Sequence, residues 1–162
     1  IFDSENNAKI IGIPPKHLFE IDKVCSEIKR YDFTLRASIN LIDLYNNVKV
    51  EDIFTRLNEL GADQVIFRVL YESGNDLPQD MWVRENKASK EKEAEIREYI
   101  LKNGKALERL PFGAIRYNVN GISTVLDDNC MPQEVTSSFR YLVLRPNCKL
   151  YSRWDDPASL VF

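Results

Sequence analysis

Leu35-Arg36-Ala37-Ser38-Ile39-Asn40-Leu41-Ile42 is the stretch whose reading sets the fold class. Apolar and polar residues alternate through it, so Leu35, Ala37, Ile39 and Leu41 share one face of a strand and Arg36, Ser38 and Asn40 share the other. The turn-rich Asp43 to Asn47 follows. Val50, Ile53, Phe54, Leu57 and Leu60 then recur at the spacing of one helix face, and Gly61 supplies the residue best able to adopt a left-handed cap. Gln64 to Tyr71 reads as a second strand. About twenty residues including a helix separate the two strands, which is the length of a crossover joining parallel neighbours.

Working upstream, Leu18, Ile21, Val24, Cys25, Ile28 and Tyr31 form one stripe of a helix that Pro14-Pro15 would start. Cys25 lies on that stripe and is expected as a small core residue, because burial keeps a thiol protonated and inert. Two parallel strands and two helices cannot bury both faces of a sheet, so the sequence reads as part of a larger sheet. Ile1-Phe2 has the character of the tail of an earlier strand, and the chain opens on Ile rather than Met. Both suggest a piece of something longer.

Working downstream, Ser73 to Pro78 is loop chemistry. Lys87 to Leu110, with Ile96, Tyr99, Ile100 and Leu107 at helical spacing, reads as a charged helix. Its Glu91, Glu93, Glu95 and Glu98, mixed with lysines, form a solvated face rather than a block of like charge. Ala114 to Val119, Asn120-Gly121 and Ile122 to Leu126 give a strong hairpin signal, since Asn-Gly suits a type I′ turn. Phe139 to Leu144, then Arg145 to Cys148, then Lys149 to Trp154, reads as a second hairpin. Cys148 occupies its tip, where glycine would turn more easily, and is expected exposed. An antiparallel appendage to the α/β part is the expected result.

Composition narrows the function classes. The chain has 162 residues, 44% hydrophobic and 29% charged, which is the size of one domain with a substantial core. With 22 Lys and Arg against 25 Asp and Glu, the net charge is −3, so no electrostatic grip on nucleic acid or an anionic membrane is expected. No apolar run approaches the ~18 residues of a membrane span, and the amino-terminal stretch lacks a signal-peptide layout, so a cytoplasmic location is expected. Cys25, Cys130 and Cys148 are too few and too scattered for a disulfide framework or a zinc or iron-sulfur spacing.

Candidate chemistry follows from strand geometry. Ligands of α/β sheets gather at the carboxyl ends of parallel strands, and polar side chains facing inward there need partners. Val65, Phe67, Val69 and Tyr71 form the side of the second strand expected to meet helices, which leaves Arg68 and Glu72 on the other. Ser38, Asn40, Arg68 and Glu72 are therefore expected to converge, either as a ligand site or as an ion-pair and hydrogen-bond cluster that satisfies itself. His17 is the single histidine, at a helix start beside Lys16, where an exposed cap position suits it better than a general base. Asp127-Asp128 and Asp155-Asp156 could bind a hard cation, though carboxylates at hairpin ends are more often turn chemistry. Dinucleotide, P-loop, H-E-x-x-H and C-x-x-C motifs are absent from the sequence.

Ile1 to Ile10, Arg36-Ala37-Ser38-Ile39-Asn40 and Ile66-Phe67-Arg68-Val69-Leu70-Tyr71, in that order, resemble the fourth, fifth and sixth strands of a radical S-adenosylmethionine (SAM) enzyme. Arg140 to Tyr151 with Ser152 to Pro157 resembles the tail of some members. The resemblance implies an α/β fold: a partial (β/α) barrel fragment with parallel strands and crossover helices, followed by antiparallel β-hairpins. Residues 1–86 would be the C-terminal part of the partial (β/α)6 barrel, and residues 87–162 a helix plus two β-hairpins packed on it. It also implies cofactor contacts from Ser38 and Asn40 to the ribose and amino-acid part of SAM, and from Val69, Leu70 and Tyr71 to adenine. Substrate contacts would fall to Asp3, Ser4, Asn6, Arg68 and Glu72, the arginine fork suiting a carboxylate.

The family binds a [4Fe-4S] cluster through C-x-x-x-C-x-x-C, and this chain has no such motif. SAM and the cluster are thus expected in a full-length protein, with neither held by this chain alone. The expected partner is a missing N-terminal half, or else a completing partner or a second copy of the chain. The alternative is a non-catalytic binding module completed by such association, because exposed sheet edges demand a neighbour.

Overall fold

The computed structural model describes residues 5, 8, 12–14, 17, 19–74, 77–110, 113–127, 142–153 and 158–161. The chain is mixed α/β. Helix α1 (Ile21–Arg30) leads into β1 (Arg36–Leu41), a 3₁₀ turn (Asp43–Tyr45), α2 (Val50–Glu59) and β2 (Gln64–Val69). Helices α3 (Pro78–Asn86) and α4 (Lys90–Asn103) follow, then β3 (Gly104–Arg109), β4 (Ile115–Val119) and β5 (Ile122–Asp127). A small hairpin of β6 (Val143–Leu144) and β7 (Leu150–Tyr151) comes last. No described helix is long and apolar enough to cross a membrane.

The five longer strands form one sheet in the order β1-β2-β5-β4-β3. The parallel pairing of β1 with β2 runs from Arg36 opposite Gln64 to Leu41 opposite Val69, as the strand-helix-strand pattern predicts. The Asn120-Gly121 hairpin also forms, both residues taking positive φ (52° and 90°), as a type I′ turn requires. It is not an appendage. Strand β5 lies parallel to β2, with Gln64 opposite Ser123 and Arg68 opposite Asp127, so the hairpin completes the main sheet. The long connection from β2 allows this: α3, α4, β3 and β4 return the chain to run in the direction of β1 and β2.

One apolar face holds the core. Ile39, Leu41, Val65, Phe67, Val119 and Ile122 on the sheet meet Ile53, Phe54 and Leu57 of α2 and Ile96 and Ile100 of α4, all nearly inaccessible. Phe54 ties the layers together, its ring 5.8 Å from that of Phe67 and stacked at 5.1 Å on Tyr99. Cys25 is buried on the α1 stripe as expected, and burial pushes its thiol pKa up. Two ion pairs hold α1 in place. Arg56 grips Asp22 with both terminal nitrogens (2.8 and 2.7 Å), and Lys29 reaches Asp63, which also accepts the Leu35 N–H at 2.7 Å.

Three elements differ from the sequence expectation. Helix α1 starts at Ile21 rather than after Pro14-Pro15, and His17 is exposed ahead of it. Helix α3 carries little periodic signal because its buried residues are only Asp80 and Val83, yet Pro78 occupies its first turn. The charged helix ends at Asn103, and residues 104–109 form an edge strand instead of its continuation. Gly104 makes the break: its N–H still bonds the Ile100 carbonyl while its own backbone is extended (ψ 144°). A Cβ there would lie 2.4 Å from that carbonyl oxygen. Pairing with β4 then outweighs the helix preference of Ala106, Leu107 and Glu108. In the second hairpin, Val143 pairs with Tyr151 and Leu144 with Leu150. Its outer expected residues, Phe139 to Tyr141 and Trp154, lie outside the described residues.

Candidate functional site at the carboxyl ends of three parallel strands

Helices cover one face of the sheet, and strand alternation sends the polar set to the other. Ser38 and Asn40 of β1 are exposed, whereas Ile39 and Leu41 between and beyond them are buried. On β2 the same alternation buries Val65 and Phe67 and leaves Ile66 and Arg68 half-buried on the opposite side. Register aligns Asn40, Arg68 and Asp127 in one row across β1, β2 and β5. That row sits at the carboxyl ends of three parallel strands, the position where α/β sheets present ligand-binding groups.

The row has distinct chemistry at each place. Asn40 offers an amide donor and acceptor to solvent. Arg68 is half-buried, and its Nε is shut off from water with no acceptor among the described residues. Asp127 is 7% exposed and stands opposite Arg68 on the neighbouring strand. Sequence reading treats Asp127 as turn chemistry at a hairpin end. The signal that could place it is the alternation of Ser123, Val125 and Asp127 along β5, but its value appears only once β5 is known to run beside β2.

Glu72 does not join the row. It accepts from Lys87 Nζ and lies 3.6 Å from Arg84 Nε, so it faces the α3 side and forms no self-satisfying pair with Arg68. The expected four-residue convergence is therefore reduced to Ser38, Asn40 and Arg68, with Asp127 added. Val69 turns its side chain to the core cluster, while Leu70 and Tyr71 are half-buried in the segment leaving β2. Asp3, Ser4 and Asn6 lie outside the described residues, as do Cys130, Asp128, Asp155 and Asp156.

The segment after β2 is fastened from below. Asp80, 2% exposed, accepts from the Ser73 N–H and hydroxyl, both at 2.7 Å, and from the Leu77 N–H at 3.2 Å. One buried carboxylate thus fixes both arms of the loop that leads into α3. After β1, the Ala88 N–H bonds the Leu41 carbonyl at 3.0 Å and Ile42 bridges to Lys87. Ser89 caps α4 while its N–H donates to the Asn46 side chain at 2.9 Å. Tyr45, half-buried in the adjoining turn, has its phenol pKa pushed up to about 12 by desolvation and stays neutral. The carboxyl edge is therefore built on a hydrogen-bonded frame.

Among the described residues no group of three or more His, Cys, Asp or Glu side chains could hold a metal ion. Cys25 lies in the core under α1 and Cys148 at the exposed hairpin tip. Known proteins supply no match. No family model, no curated protein and no solved structure matches the chain.

Proposed function

We propose that this chain is the C-terminal portion of a radical SAM enzyme, in which the sheet face opposite the helices lies toward bound SAM and substrate. One observation carries the reading. Among the described residues, helices cover a single face of three adjacent parallel strands, and the opposite face presents Asn40, Arg68 and Asp127 in register at their carboxyl ends. A segment of barrel wall has this construction, with helices outside and polar ligands for the bound molecule inside.

In this reading Ser38 and Asn40 hold the ribose and amino-acid part of SAM, and the backbone of Val69, Leu70 and Tyr71 lies along the adenine. Arg68 takes a carboxylate of SAM or of the substrate, because its buried Nε has no acceptor among the described residues. Glu72 serves the frame through Lys87 and Arg84 rather than the ligand. The [4Fe-4S] cluster, which when bound supplies the electron for SAM cleavage, would be held by a preceding part of the protein. The described cysteines, one in the core and one at a hairpin tip, do not fit it.

The second reading is a binding module completed by a partner or a second copy. It draws on β1 standing at the edge of the sheet, where no described strand pairs with its outer side. The two readings separate in one experiment on the full-length gene product, purified and cluster-reconstituted without oxygen. Reductant-dependent release of 5′-deoxyadenosine from SAM, weakened by Asn40→Ala and Arg68→Ala, supports the enzyme. Absence of SAM binding in the reconstituted wild type removes it.

A further inference from the structure

On the sheet face opposite the helices, a cleft of about 160 Å³ runs from Arg36 and Gln64 at the amino ends of β1 and β2 to Asp127 at the carboxyl end of β5. Ile66 and Val125, neighbours in register, give it an apolar floor, and Leu110 adds an apolar wall. Arg36 and Arg116 line it against one carboxylate, Asp127. Arg116 is opposite Val125 on β4, and its Nη2 reaches Glu108 at 3.0 Å. Its Nε is buried and finds no acceptor among the described residues. Arg36 donates through Nε to Gln64 at 2.9 Å and is otherwise exposed.

A buried guanidinium N–H without an acceptor is costly, and a ligand oxygen placed there recovers that cost. The charge of the face points the same way. Among the strand residues, Arg36, Arg68, Lys105 and Arg116 share it with Glu108 and Asp127, although the chain as a whole carries −3. A positive concavity on a negative protein concentrates anions at that spot.

We propose that this cleft binds a small carboxylic acid, its carboxylate between Arg36 and Arg116 and its apolar body on Ile66 and Val125. A cleft of about 160 Å³ has room for a compact ring or a short branched chain. Asp127 at the same cleft repels a second negative charge, so a monoanionic carboxylate is favoured over a phosphate ester. The cleft shares Asp127 with the Asn40–Arg68–Asp127 row but draws its cationic groups, Arg36 and Arg116, from outside it, and its binding of a carboxylate does not depend on SAM chemistry.

The test uses the whole chain with three probes of one size: benzoate, phenyl phosphate and benzyl alcohol, titrated by NMR. Benzoate is expected to bind and to shift residues of β2, β4 and β5. Arg116→Gln should weaken it about tenfold or more, the loss expected for one charge-assisted hydrogen bond at a half-buried site. Arg36→Gln, at an exposed position that leaves the fold intact, should weaken it in the same direction and keeps the test valid if Arg116→Gln unfolds. No benzoate binding, equal binding of benzyl alcohol, or benzoate binding unchanged in both variants overturns the site. Tighter binding of phenyl phosphate than of benzoate overturns the carboxylate assignment.

Discussion

Replacing Gly104 by alanine distinguishes the observed α4–β3 junction from a continuing helix by the sign of one stability change. In a continuing helix, Gly→Ala stabilises by about 1 kcal/mol, because alanine is the better helix former. In the observed junction the new Cβ would lie 2.4 Å from the Ile100 carbonyl oxygen and 2.9 Å from Val119 Cγ2. Neither neighbour yields readily. The first is helix backbone bonded to the Gly104 N–H, and the second belongs to a side chain at 0% exposure. Relief requires α4 and β4 to move apart, and overpacking of this kind costs about 1–3 kcal/mol. For a domain of this length each kcal/mol moves Tm by about 2–4 °C, so a fall of roughly 2–12 °C is expected by circular dichroism. Urea unfolding should show a lower midpoint at unchanged slope. An alanine variant as stable as the wild type, or more stable, refutes the junction.

Three further predictions rest on particular contacts. Phe67→Ala empties the space under the Phe54 ring at the centre of the core and should cost about 3–5 kcal/mol in denaturant unfolding, where a loss below about 1 kcal/mol would contradict the packing. The Lys29 ammonium and the Leu35 N–H hold the Asp63 carboxyl below its ordinary value of 3.8, so its contribution is complete above that pH and disappears as pH falls through the lower native value. Asp63→Asn should therefore destabilise at neutral pH and flatten the stability profile in that acid window, and a variant with the wild-type profile would disprove the link. Alkylation of the native protein followed by peptide mapping should modify Cys148 well before Cys25, whose thiol is buried with a raised pKa; comparable rates would place Cys25 at the surface.

Local pattern carried much of the fold. Alternation in residues 35–42, the apolar stripe of Val50 to Leu60 and the Asn120-Gly121 turn each encode an element through neighbours only a few residues away. The missing parts depend on distant partners. That β5 runs beside β2 is a pairing across more than half a hundred residues of sequence, and nothing in Ile122 to Asp127 alone distinguishes it from the end of a detached hairpin. Residues 104–109 have helix-forming side chains, and only Gly104 and the β4 ladder make them a strand. Helix α3 buries a carboxylate where periodicity looks for apolar residues.

The candidate site divides along the same line. Asn40 and Arg68 were legible because their faces follow from alternation within their own strands. Asp127 was not, since its place in the row comes from the β2–β5 register. Glu72 was misplaced because Lys87, fifteen residues on, competes for it more effectively than Arg68. A face assignment stops being reliable where the strand ends, and Glu72 lies three residues beyond Val69.

The intact mass and amino-terminal sequence of the native gene product test the functional claim most directly. A longer protein with C-x-x-x-C-x-x-C ahead of Ile1 is the result expected if this sheet is the later part of a radical SAM barrel. A native protein that starts at Ile1, or one residue before it, contradicts that claim and leaves the binding module.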